Sequence, residues 1–134
     1  MVLNNFQFTR DLIGLDTEAG YIDLHNNYDF VGCLEGKGAA TLSWQRSSEP
    51  GASAQAPNRV SIVFGAVSYL EQRGVPSSTL MEFGFFPNES RGCVEYNGQH
   101  APSTGCEFFV ARFEGGGELA MLAGSAMAHV SDGA

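Results

Sequence analysis

The sequence is poor in positive charge. Seven Lys and Arg stand against 15 Asp and Glu, giving a formal net charge of −8. Such a field repels phosphate backbones and excludes a general nucleic-acid role; it favours a basic protein or a cationic ligand. It also keeps a domain soluble, the plainer account of the same charge. Long apolar runs are lacking too. No segment approaches the ~20 residues that span a bilayer, so no membrane partner is expected. The opening MVLNNFQFTRDL has neither the basic start nor the apolar stretch of a secretory signal, which points to the cytoplasm. Cysteine is scarce and odd in number, with Cys33, Cys93 and Cys106 and no CxxC. A disulfide framework is therefore not expected in a reducing compartment, though an exported chain would leave room for one bridge.

Catalytic signatures are also missing. GxSxG, HExxH, a Walker loop and a dinucleotide fingerprint are all absent. Gly115-Gly116-Gly117 lacks the Lys-Ser/Thr end of a phosphate loop and reads as a turn.

What is present suits a packed core. The 134 residues fit one domain, 1–134, and 43% are hydrophobic, including ten Phe, four Tyr and one Trp. The dominant pattern has period two, the mark of strands. From Arg59 to Ala66, Val60, Ile62, Phe64 and Ala66 share one face. From Thr79 to Phe86, Thr79, Met81, Phe83 and Phe85 fall on one face and Leu80, Glu82, Gly84 and Phe86 on the other. Segments 11–15 and 21–25 flank a hairpin connection at 16–20, and segments 28–34 and 39–45 flank Glu35-Gly36-Lys37-Gly38. Ala40, Leu42 and Trp44 alternate with Thr41, Ser43 and Gln45, which places Trp44 in the core. The stretch RSSEPGASAQAPN, 46–58, reads as a mobile surface loop, with further loops at 87–92 and 97–105.

Residues 106–113, CEFFVARF, are apolar on both faces, as in a central strand. Residues 118–130 fit either a helix with Leu119, Leu122, Ala123, Ala126 and Met127 on one stripe, or strand. Gly124 and the hairpin context favour strand, either continuous or as two short strands broken near Gly124. Residues 67–73 either continue the preceding strand or form one helical turn. The fold expected is mainly β: a single antiparallel sheet domain of about eight strands, a meander folded into a sandwich or partial barrel, with little helix.

Few residues carry chemistry. On a strand Asp23 and His25 point the same way and would share a metal or act as an acid–base pair, with His100, His129, Cys93 and Cys106 as further candidate ligands. A solvated strand face often carries Asp and His with no task, so Asp23, His25 and His100 are weak metal candidates. No cofactor is expected. Glu82 and Glu107 are single carboxylates inside apolar strands; paired in a cleft they would suit glycoside hydrolysis, unpaired they mark a wet face or an edge. Cys33 and Cys106 look like small core residues and Cys93 like an exposed one. Tyr21, Tyr28, Tyr69 and Tyr96 would serve a carbohydrate-binding face if coplanar. Phe85-Phe86 and Phe108-Phe109 each put one ring on either face, so their sheet must be covered on both sides, by a second sheet or another subunit.

Three functional readings follow. The first is a non-catalytic module that binds another protein or itself as a homodimer, an acidic inhibitor or immunity-type protein being one form. The second is a small ligand- or metal-binding barrel or enzyme using Asp23 and His25. The third is a carbohydrate-binding module.

Overall fold

The computed structural model describes residues 1–88 and 98–132. Among these residues there is no helix, so none is long and apolar enough to cross a membrane. The strands are β1 (Val2–Leu3), β2 (Phe6–Phe8), β3 (Gly14–Thr17), β4 (Gly20–Asp23), β5 (Tyr28–Gly36) and β6 (Ala39–Arg46), then β7 (Arg59–Gly65), β8 (Tyr69–Arg73), β9 (Leu80–Phe86), β10 (Phe108–Phe113), β11 (Glu118–Leu122) and β12 (Ser125–Ser131). They form a five-stranded sheet, β1-β12-β7-β6-β5, a four-stranded sheet, β8-β11-β10-β9, and a three-stranded sheet, β2-β3-β4. All pairings are antiparallel except the short β1–β12 contact.

The mainly β, sandwich-like expectation is met. Among the described residues there are twelve strands rather than about eight, and none of the three sheets closes into a barrel. The extra strands arise at the N-terminus and where the chain changes sheets. Residues 59–73 and 118–131 run side by side as one antiparallel ribbon, folded over at a corner. Its first half, β7 with β12, lies in the five-stranded sheet; its second half, β8 with β11, lies in the four-stranded sheet. At the bend Ala66 takes φ 50° and the N–H of Gly124 donates to Gly65 O at 2.9 Å. A Cβ on Gly124 would sit 3.0 Å from that of Ala66, so the corner leaves little room for a side chain. Strands that switch sheets at such bends are the usual corners of a β-sandwich. Residues 118–130 are thus two strands interrupted at Gly124, and 67–73 supplies a strand of its own.

The inner faces carry the core. Ala40, Leu42 and Trp44 of β6 and Val60, Ile62 and Phe64 of β7 face Leu80, Phe83 and Phe85 of β9, Phe109, Ala111 and Phe113 of β10, and Leu119 and Met121 of β11. The Phe109 ring sits 4.9 Å from Phe64 and 5.3 Å from Phe8, so one side chain ties all three sheets together. Phe8 also packs edge-on to Phe83 and Phe85. Each buried ring of this kind contributes about 1.5–3 kcal/mol of apolar transfer.

One face assignment shifts. Register with β10 slips so that Glu82 pairs Arg112 but Leu80 pairs Phe113. Met81 is the extra residue of a bulge; it is 47% exposed, and Leu80 turns inward instead. The strict alternation expected over 79–86 therefore holds only after the bulge.

The loop 46–58 is tethered. Arg46 Nη1 donates to Ala54 O and Ala56 O at 3.1 and 2.9 Å, and the Tyr28 hydroxyl donates to Pro57 O at 2.7 Å.

Candidate functional site

Among the described residues, those singled out in the sequence do not converge. Asp23 ends β4 and closes a turn: its Oδ1 accepts the N–H of His25 at 3.1 Å and of Asn26 at 2.9 Å, while Oδ2 accepts Asn26 Nδ2 at 2.7 Å. This is an Asx-type turn. His25 lies beyond the strand, so the period-two rule does not place it beside Asp23. Its Nδ1 is 2.5 Å from Leu80 O, a geometry in which Nδ1 carries the proton and donates. That bond caps an edge carbonyl of β9. The same edge receives Leu12 O at Phe83 N–H and pairs with Gln99 at Phe85, so three segments shield it. His100 is half-buried in the loop that follows. His129 projects from β12 into a cleft of about 320 Å³ shared with Asn5, Thr17 and Glu18. No group of three or more His, Cys, Asp or Glu is placed to hold a metal among the described residues.

Cys106 is not a core strand residue. It is half-buried ahead of β10, bridged to Ser103. Cys33 does pack against the core, and burial, helped by Glu35, pushes its thiol pKa up, away from nucleophile chemistry. Cys93 and Tyr96 lie outside the described residues. Glu107 is exposed just before β10. The remaining tyrosines sit on three different sheets. Tyr21 is 50% exposed with its hydroxyl on Asp11 at 2.6 Å; Tyr28 is buried; Tyr69 packs its ring on Phe108 and donates to Glu71. They form no coplanar row. Trp44 is in the core as expected.

The surfaces that do stand out are the two outward sheet faces. On the four-stranded sheet, register aligns outward side chains across the strands. One row reads Arg73, Glu118, Arg112, Glu82, alternating in sign. The next reads Glu71, Ala120, Val110, Gly84. Beyond it lie Tyr69, Leu122, Phe108 and Phe86. Phe86, Phe108, Val110 and Ala120 are no more than 9% exposed. Part of the cover is visible at Gly84, where an added Cβ would lie 2.7 Å from Gln99 O, and at Gly98, which abuts the Phe86 ring. The Phe pairs thus do face both ways, as expected. The outward rings, however, are out of water within one chain, so they do not call for a second subunit.

At the charged end, a cleft of about 500 Å³ is lined by Met81, Glu82, Arg112, Phe113, Gly116, Gly117 and Glu118. Arg112 Nη1 donates to Glu82 Oε1 at 2.9 Å, its Nε reaches Glu118 Oε2 at 3.5 Å, and its guanidinium lies 4.6 Å from the Phe86 ring centroid. The Glu118 side chain is only 15% exposed, and its Oε1 is shut off from solvent without a hydrogen bond among the described residues. The sequence reading picked out Glu82 but neither Arg112 nor Glu118. The two flank the glycine turn with opposite charges, which is a usable hairpin signal. The Glu82 partner is 30 residues away and left no local trace.

The outward face of the five-stranded sheet is different. Its rows are Leu34, Thr41, Val63, Met127, then Gly32, Ser43, Ser61, His129, then Asp29, Gln45, Arg59, Ser131. Leu34 is 77% and Met127 41% exposed, and no described segment lies across them.

No protein-family model, curated protein or solved structure matches the chain.

Proposed function

We propose that the protein is a non-catalytic protein-interaction module and that it offers the outward face of its five-stranded sheet to the partner. The observation that carries the reading is the row Leu34–Thr41–Val63–Met127, whose apolar ends Leu34 and Met127 are exposed beside the small side chains of Gly32, Ser43 and Ser61. Large apolar groups left in water on a smooth sheet mark contact surfaces. The side chains that would serve catalysis or a metal are engaged elsewhere: Asp23 and His25 hold a turn and a strand edge. The net charge of −8 favours a partner with basic residues, whose approach it accelerates.

Strand spacing of 4.8 Å and a rise of 3.3 Å per residue give four strands on the order of 400 Å² of flat sheet. A standard one-sided footprint is about 800 Å². The partner therefore also reaches the rim, where Glu35, Lys37 and Val2 stand exposed.

A photo-crosslinking amino acid at Thr41 is expected to give a discrete adduct in cells of the source organism, while the same probe at Val75, a loop residue 82% exposed, does not. The double variant Leu34→Lys, Met127→Lys should abolish that adduct while costing no more than about 1 kcal/mol of stability. An adduct of twice the chain mass makes the partner a second copy. Identical adducts from both positions, or none from Thr41, overturn the reading.

A further inference from the structure

We infer that the cleft over the charged row of the four-stranded sheet binds a small organic cation, a guanidinium or primary ammonium on an apolar stem. The inference concerns a different surface from the bare face and rests on none of the argument about it.

Three features of the cleft select this chemistry. The first is charge. One guanidinium stands between two carboxylates, so the Glu82–Arg112–Glu118 group keeps one negative charge. Arg73 lies across from Glu118 in register, but its Nε donates to Glu71 at 2.6 Å and it does not complete the row.

The second is unmet hydrogen bonding at Glu118. Its Oε2 has a single long contact, 3.5 Å to Arg112, and its Oε1 has none among the described residues. A buried acceptor left without a donor costs about 1–3 kcal/mol, and such a group calls for a missing partner. The terminal torsion of a glutamate is broad. A small rotation keeps one oxygen on Arg112 and turns the other into the cleft, where an incoming N–H meets it. Glu82, 31% exposed, offers a second acceptor at the mouth.

The third is the wall. Met81 and the Gly116–Gly117 turn are apolar and suit an alkyl or aryl stem rather than a hydrated ion. A divalent metal would require further carboxylate or imidazole ligands, and none is grouped here among the described residues. An anion is disfavoured because the Nη1 and Nε donors of Arg112 are turned to carboxylates.

The test is an NMR titration of the isotope-labelled chain with n-butylguanidinium and n-butylammonium chloride, with n-butanol as the uncharged control. A ligand of this size binds with a dissociation constant on the order of 1–10 mM. The expected result is saturable shifts centred on Glu82, Arg112 and residues 116–118, weakened about tenfold in Glu118→Gln and in Glu82→Gln. Glu35→Gln, an exposed carboxylate on another sheet, should leave the affinity unchanged. Glutamine is nearly isosteric with glutamate, and unshifted core resonances verify the fold. If one cleft variant fails to fold, the other and the n-butanol arm decide. Equal affinity for n-butanol makes the cleft merely apolar and overturns the inference. So does equal weakening by Glu35→Gln, which signals diffuse attraction to an acidic chain, and so does a titration without saturation. Loss of the Thr41 crosslink leaves this titration unaffected, so the two proposals fail separately.

Discussion

The two outward sheet faces of this molecule are built by the same backbone rule and end in opposite states. On the four-stranded sheet, Phe86, Phe108, Val110 and Ala120 point away from the main core yet are hidden from water. On the five-stranded sheet, Leu34, Val63 and Met127 occupy the equivalent outward positions, and Leu34 and Met127 remain well exposed. An apolar side chain facing outward is thus not in itself a docking residue. What matters is whether another stretch of the chain returns across it. Where it does, the face becomes a second small core with an ion-paired margin; where it does not, the apolar groups are left for something else to cover.

Matched substitutions can break this contrast. Val110→Asp and Val63→Asp put the same carboxylate at the centre of each outward face. Val110 is 2% exposed, so a carboxylate there loses its water and a loss of about 3–5 kcal/mol is expected in urea unfolding. Val63→Asp should cost no more than about 1 kcal/mol. Equal losses would mean that both faces are sealed. Next in size is Gly84→Ala, which drives a methyl to within 2.7 Å of Gln99 O and should cost about 1–3 kcal/mol. Its counterpart Gly36→Ala, at the bare face, meets nothing within 4 Å and should change stability by less than about 0.5 kcal/mol.

A further effect is set by pH and probes the inner side of the bare sheet. Burial pushes the Tyr28 phenol up to about 12 from an ordinary 10. Folding therefore favours the neutral phenol. Its contribution is whole below pH 10 and is lost as pH climbs toward 12. Alkaline unfolding monitored by circular dichroism should steepen over that window, and Tyr28→Phe should flatten it. A profile unchanged by the substitution would show that water reaches Tyr28.

Much of the strand pattern was legible in the residues. Val60, Ile62 and Phe64 point inward as their alternation requires, Trp44 is buried, and Gly124 interrupts the last segment where its lack of a side chain suggested. The double-sided aromatic pairs were read correctly as a need for cover on both faces. The bulge at Met81 was not legible, because it is defined only by the register with β10. Asp23 and His25 were misread as a pair, since the strand stops at Asp23 and the turn beyond it redirects the histidine to Leu80 O. Glu82 stood out as a carboxylate in an apolar strand, but its partners Arg112 and Glu118 come from strands that reach it only through the sheet.

Alternation of side chains is a property of the extended backbone itself, so the residues alone determined where most strands run and, away from bulges and turns, which of their side chains share a face. They also determined the acidic balance and the large aromatic content. Which outward face is covered, which carboxylates share Arg112, and which apolar row stays in water were decided only by tertiary structure. The reason is that solvent exposure and ion pairing depend on segments far apart in the chain that meet only once the ribbon has folded over its corner and the loops have returned across the sheets.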